Sequence, residues 1–219
     1  MRASRIAALV LVAAVVTACS TSADVEVSDQ AGPVSEATTS AATTTATATT
    51  PAPGLRPLAA VGKGTGYTIS VPASWTSIDP SAGSPEEIAK KISELYPSGA
   101  DQASLAAAVR QGLVLFAIDP ATGANVNVLV QDVTLSLDTI AAQIDTQLGA
   151  LGAAPATVTR PTIGGRPALR ADTSLASPAA ALTQLYLVTA TQTLITTITS
   201  PAAAKNVPVD AMAASVTIA

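Results

Sequence analysis

The stretch Thr157-Val158-Thr159-Arg160-Pro161-Thr162-Ile163-Gly164-Gly165-Arg166-Pro167-Ala168-Leu169-Arg170-Ala171-Asp172-Thr173-Ser174 reads as a β-hairpin. Two β-favouring segments, 157–163 and 166–174, flank a Gly-Gly pair, and glycine takes the positive φ of a two-residue turn at no steric cost. Working outward, residues 182–190 and 194–200 form a second hairpin around Thr191-Gln192. Upstream, 113–118 is apolar throughout and 125–130 alternates, with Asp119-Pro120-Ala121-Thr122-Gly123-Ala124 as the turn between them. Residues 67–71 also alternate with period two, the mark of a half-buried strand.

Helical signals lie between these strands. Ser84-Pro85-Glu86-Glu87 is a capping box with proline at the first helical position, and Ile88, Ile92 and Leu95 follow on one face. Pro97-Ser98-Gly99 stops that helix. Asp101 caps a second one running to Gly112, which suits a left-handed C-terminal position. From Ser136, the residues Leu137, Ile140, Ile144, Leu148 and Leu151 recur at three- and four-residue steps, leaving Asp138, Asp145 and Gln147 to water. Residues 207–216 make a short closing helix. Hairpin-linked strands interspersed with amphipathic helices predict an α+β domain over 58–219, with a largely antiparallel sheet carrying helices. A chain of that length buries roughly 70% of its unfolded surface.

The pattern Tyr67-x-Ile69-x-Val71-Pro72-x-x-Trp75, the strand Asn125-Val126-Asn127-Val128, a long amphipathic helix and then Gly165-Arg166-Pro167-Ala168 together resemble the PsbP-like domain. Within it, the chain is most similar to the LpqN/LpqT-type lipoproteins of actinobacterial envelopes. The resemblance spans nearly all of 58–219. It implies an antiparallel sheet sandwiched by helices and a non-enzymatic accessory role, with members associated with envelope lipid transport and with protein partners.

The N-terminus carries an address. Arg2 and Arg5 precede eleven apolar residues, 6–16, too few for a resident span of about 20. This is the build of a secretory signal. Val16-Thr17-Ala18-Cys19 reads as a lipobox, with small residues before the cleavage point and the only cysteine of the chain as the thiol to be acylated. The competing reading is an ordinary signal peptide with an incidental cysteine. Residues 1–18 are thus the signal peptide. Cys19 is the lipid attachment point, and two or three acyl chains hold a protein durably on the extracytoplasmic face of the cell membrane. Residues 19–57 hold few large apolar side chains, and 38–50 is almost entirely Thr and Ala. Such a segment cannot offset its ordering entropy, which predicts a disordered tether spanning on the order of 35 Å.

Charge and missing residue types narrow the function. Without residues 1–18 the chain has nine basic against fifteen acidic residues, a net charge of −6. An acidic chain with no basic run points away from nucleic acid. A single cysteine leaves no disulfide to form. There is no histidine, so Ser-His-Asp and Cys-His mechanisms and imidazole zinc sites are unavailable. Asp79 with Glu86 or Glu87 offers a carboxylate pair for hydrolysis in principle, although first-turn glutamates are more simply cap and dipole partners. Gly62-Lys63-Gly64-Thr65-Gly66 has the look of a phosphate loop, but it precedes a strand and no helix follows it. No cofactor, metal or catalytic residue is expected.

Two sets of residues remain as ligand candidates. Tyr67, Trp75, Phe116 and Tyr186 are large rings on or beside strands, either core or the lining of an apolar slot for an acyl chain. Arg166 and Arg170 fall on one face of their strand if the turn is two residues long. There they either receive an anionic headgroup or guard a sheet edge. The expectation is a membrane-anchored, non-enzymatic envelope lipoprotein that binds lipid or glycolipid. The alternative is an adaptor docking on extracytoplasmic domains of membrane proteins, and a carboxylate-dependent hydrolase is a remote third.

Overall fold

The computed structural model describes residues 53–64, 66–96 and 100–219; the signal segment, Cys19 and the Thr/Ala-rich stretch lie outside them. The first strand, β1, is Leu55–Ala59, three residues ahead of the expected domain start at 58. Its pattern is weak, and it is made a strand by pairing, with Leu55 opposite Pro72 and Leu58 opposite Ile69. As an edge strand, β1 tolerates Pro57, whose missing N–H would break a central ladder. A 3-10 turn at Gly62–Gly64 leads into β2, Tyr67–Pro72, and β3 follows at Thr76–Ile78.

Helix α1 is Pro85–Leu95. Its box is closed both ways: the Ser84 N–H donates to Glu87 Oε2 at 2.8 Å, and the Glu87 N–H donates to Ser84 Oγ at 3.3 Å. Ile88, Ala89 and Ile92 are buried, whereas the expected stop at 97–99 lies outside the described residues. Helix α2, Gln102–Arg110, starts where Asp101 accepts the Ser104 N–H. Gly112 follows its end with φ +105°, and a Cβ there would fall 2.4 Å from the Val130 carbonyl oxygen, so glycine is required twice over.

Strands β4, Leu113–Ile118, and β5, Asn125–Gln131, come next, then helix α3, Leu137–Gly149, capped by Ser136. Ile140, Ile144 and Leu148 form its buried stripe. Leu151, expected to extend that stripe, lies past the helix end and is 42% exposed. The chain has by then turned away, and Gly152 takes φ +75°.

The founding hairpin forms with one break. Ile163 pairs Arg166 across Gly164 and Gly165, both at positive φ, the two-residue turn that the sequence suggests. Its first arm splits into β6, Thr157–Thr159, and β7, Thr162–Ile163, because Pro161 between them has no N–H to give. The second arm, β8, runs Arg166–Ala176 and turns through Ser177-Pro178 into β9, Ala179–Val188. Strand β10, Thr193–Pro201, helix α4, Val209–Ala214, and the short strand β11, Thr217–Ile218, complete the domain.

All described strand pairs are antiparallel. The large sheet has the order β3-β4-β5-β10-β9-β8-β6 with β7 also on β8, and a small sheet has the order β1-β2-β11. One face of the large sheet contributes Val126, Val128, Leu185, Leu187 and Ile198 to a core shared with Tyr67, Ile69 and Val71 of the small sheet and Met212 of α4. Strand alternation sends Phe116, Ile118, Leu129, Leu169 and Ile195 to the other face, where α1 to α3 supply Ile88, Ile92, Leu105, Ile140, Ile144 and Leu148. The domain is thus α+β with helices on both sides of an antiparallel sheet, although much of the cover on the α4 side is the small sheet. This double cover buries 125–130 on both faces, where alternation alone suggests one wet side.

Candidate functional site

The four rings do not form one box. Tyr67 and Trp75 lie in the core between the sheets, at 1% and 5% exposure. The Tyr67 hydroxyl meets Thr196 Oγ1 across it. Burial pushes the Tyr67 phenol far above its ordinary pKa, with the Thr196 hydrogen bond acting the other way. Phe116 and Tyr186 point to the helix-covered face, and the Tyr186 hydroxyl donates to Gln184 Oε1 at 2.6 Å. Rings on opposite faces of one sheet are separated by its backbone, so they serve two cores.

Arg166 and Arg170 do share a face, as the two-residue turn requires, but only Arg166 is exposed. Arg170 Nε donates to Asp172 Oδ2 at 2.7 Å, its Nη2 reaches Asp172 Oδ1 at 3.1 Å, and its Nη1 pairs Asp210 Oδ1 at 2.7 Å. The hydrogen bond that Arg170 donates to Asp172, ahead of the one to Asp210, raises the guanidinium pKa further. An incoming anion would have to displace two carboxylates, so Arg170 acts as a clamp between β8 and α4.

The carboxylates suspected of acid–base work are also committed. Asp79 accepts from the Ser81 hydroxyl and backbone N–H, and these bonds lower its pKa. The Ser84 backbone and hydroxyl lower Glu87 in the same way, and Glu86 pairs with Arg110. A general acid at neutral pH needs its pKa raised, the opposite shift. Among the described residues, no group of His, Cys, Asp or Glu is arranged to hold a metal.

What the fold does assemble is a cleft of about 400 Å3 between the Gly62–Gly64 turn, the C-terminal end of α2 and the end of β5. Lys63 and Arg110 stand at it, each more than half exposed and each ion-paired, to Asp132 and Glu86 respectively. Gln192 Nε2 also donates to Asp132 Oδ1 at 3.3 Å. The Lys63 hydrogen bond is the main reason the Asp132 pKa is lowered. Gly64 is fixed here by contact, since a Cβ would sit 2.7 Å from Val114 Cγ2. The turn runs on toward a strand and cradles nothing with a helix N-terminus, as its place in the sequence suggests.

A second recess of about 110 Å3 shares Val61, Pro80 and Val114 with this cleft. Leu58, Ala59, Ile78, Leu115 and Phe116 make most of its wall apolar, and Ser77 and Asp79 complete it. It lies where the edge of the small sheet, β1, faces the edge of the large one, β3. Arg56 bridges these edges by donating Nη2 to the Trp75 carbonyl at 2.7 Å. The result is a charged mouth beside a small, mostly apolar recess. Phe116 is the one aromatic of the expected four that lines it. Lys63, Arg110 and Asp132 were not singled out as binding residues from sequence. Their only local signals were Gly-Lys-Gly before a strand and an arginine at a helix end, and Lys63 and Asp132 are brought together across sixty-nine positions.

No family model matches the chain, and no curated protein matches it. Among solved structures it is similar to the solution structure of cyanobacterial PsbP (CyanoP) from Synechocystis sp. PCC 6803. The likeness has a TM-score of 0.46 at 12% identity, over 76% of this chain and 93% of that one.

Proposed function

We propose that the chain is an LpqN/LpqT-type lipoprotein with a PsbP-like domain, anchored through acyl chains on Cys19 at the extracytoplasmic face of the cell membrane. Its domain is a non-enzymatic binding module for the headgroup end of a lipid or glycolipid, in support of envelope lipid transport. The observation that carries this reading is the pairing of a charged cleft with a small, mostly apolar recess. Lys63 and Arg110 face the polar part of a ligand and the slot takes the first carbons of its tail. The lipobox supports the anchor, and the absence of histidine together with lowered carboxylates at Asp79 and Glu87 supports a role without chemistry.

Native mass spectrometry of the full chain extracted from its host tests the binding. A lipid adduct on the wild type that is lost in a Lys63→Glu/Arg110→Glu variant supports it, and bare protein in both sinks it. Labelling with a clickable fatty acid tests the anchor, with Cys19→Ser expected to abolish both label and membrane fractionation.

One feature favours the adaptor as a second reading. The slot is well under the ~300 Å3 at which ligand pockets begin. A protein partner that seats one apolar side chain there needs no more room. A photo-crosslinker placed at Arg110 separates the two, capturing a membrane protein under the adaptor reading and lipid under the first.

A further inference from the structure

Much of the backbone around the open cleft of about 400 Å3 is already spent. The Val61 N–H donates to the Val114 carbonyl at 3.0 Å, and the Gly64 N–H to the Val61 carbonyl at 3.2 Å. The Gly112 N–H donates to the Val109 carbonyl at 3.2 Å, and the Val130 N–H to the Gly112 carbonyl at 2.9 Å. These bonds leave recognition chiefly to side chains.

Among the side chains, acceptors are engaged and donors are in surplus. Asp132, the carboxylate of the wall, accepts on both oxygens, from Lys63 on Oδ2 and from Gln192 on Oδ1. The Ser81 hydroxyl is turned to Asp79 Oδ1 at 2.7 Å. Arginine carries five N–H donors, and Arg110 gives one bond, from Nη2 to Glu86 Oε1. Lysine carries three, and Lys63 gives one, to Asp132. Arg170 is the contrast, with Nε, Nη1 and Nη2 all engaged by Asp172 and Asp210. The fork of Arg110 is open and more than half exposed, and an exposed pair such as that with Glu86 holds it only weakly.

This balance selects a ligand. A sugar hydroxyl both gives and accepts, so an uncharged sugar needs acceptors that the cleft has largely committed. A phosphate ester brings acceptor oxygens and negative charge to a wall holding two cations against one carboxylate. Its oxygens match the planar guanidinium fork in two parallel bonds, with the ammonium as a point charge beside it. The amides of Gln111 and Gln131 give and accept alike, so they suit either ligand. Val61, Pro80 and Val114 are shared with the neighbouring recess, which puts an apolar surface next to the ester carbons.

We propose that the cleft selects a phosphate group, with Arg110 gripping two of its oxygens and Lys63 a third, over an uncharged sugar. This rests on the headgroup reading of the cleft and narrows it to a phosphate mono- or diester.

NMR titration of the isotope-labelled full chain tests it, read at the backbone amides of Lys63, Arg110, Gln111 and Gly112 and at the Arg110 Nε–H. The probes are inorganic phosphate, dihexanoylphosphatidylglycerol and octyl glucoside, each of the last two below its micelle concentration. Saturable shifts with both phosphate compounds and none with octyl glucoside are expected. Tighter binding of the phosphatidylglycerol assigns the phosphate to a lipid, and equal binding assigns it to free phosphate. A response to octyl glucoside as strong as that to the phosphates overturns the selection while leaving the headgroup reading in place. Silence with all three probes overturns both. Arg110→Lys keeps the charge without the fork and is expected to weaken phosphate binding about tenfold, and Arg110→Gln to abolish it. Unchanged binding in Arg110→Gln overturns the assignment.

Discussion

Strand β5 separates two different interiors. On one side Val126, Val128 and Val130 meet the small sheet in an apolar core crossed by the Tyr67–Thr196 hydrogen bond. On the other, the amide side chains of Asn125 and Asn127 lie under helices, and Asn125 Nδ2 donates to the Gly123 carbonyl at 3.0 Å. Both sides are equally dry by burial, so accessibility does not distinguish them. Hydrogen-bond accounting does: one face is mainly apolar, and the other carries buried amides and hydroxyls among its apolar side chains.

Truncation on the apolar side gives the largest expected effect. Leu185→Ala, at a fully buried position, is expected to cost about 3 kcal/mol in a denaturant titration. The same titration on Asn127→Leu is expected to give a much smaller change, within about 1 kcal/mol, because a buried amide is exchanged for an apolar side chain of similar volume. A loss of similar size at both positions would erase the contrast between the faces.

Ser84→Ala removes the cap of α1, part of the cover of the polar side, at a cost of about 1 kcal/mol. Hydrogen exchange would sharpen the contrast, with faster exchange expected in α1 and none of the change in β2. The smallest effect is that of acid. Glu87 and Asp101, the cap groups of α1 and α2, have folded pKa values below their unfolded ones. Their stabilisation is present above the unfolded values of about 4 and fades as pH falls through the lower folded ones. Thermal midpoints are therefore expected to be level from pH 8 to 5 and to drop slightly toward pH 3, with the helices loosening first.

Local chemistry made much of this fold legible. The Gly164-Gly165 turn, the Ser84–Glu87 box and the Ile140-Ile144-Leu148 stripe each depend on a few neighbouring residues, and each stands where the sequence puts it. What was missed depends on distant parts of the chain. Strand β1 exists through its partner β2, and the β8–β9 turn at Ser177-Pro178 joins alanine-rich ends with little strand character. Alternation in 125–130 told that two faces differ and could not tell what covers each. The parity that sends Tyr67 one way and Tyr186 the other emerges only once strands are stacked. Likewise Arg170 finds Asp210 forty positions on, a meeting that no spacing rule foresees.

The borders of the large sheet carry a consequence of another kind. It ends in β3 and β6, three residues each, and the long strand β8 is flanked by β6, the two-residue β7 and a bridge from Ala153 to Leu175. An approaching strand from a second copy finds stubs instead of a continuous ladder to extend. Strand addition to the large sheet therefore has little edge to build on, which leaves the five-residue β1, interrupted by Pro57, as the longer edge of the small sheet.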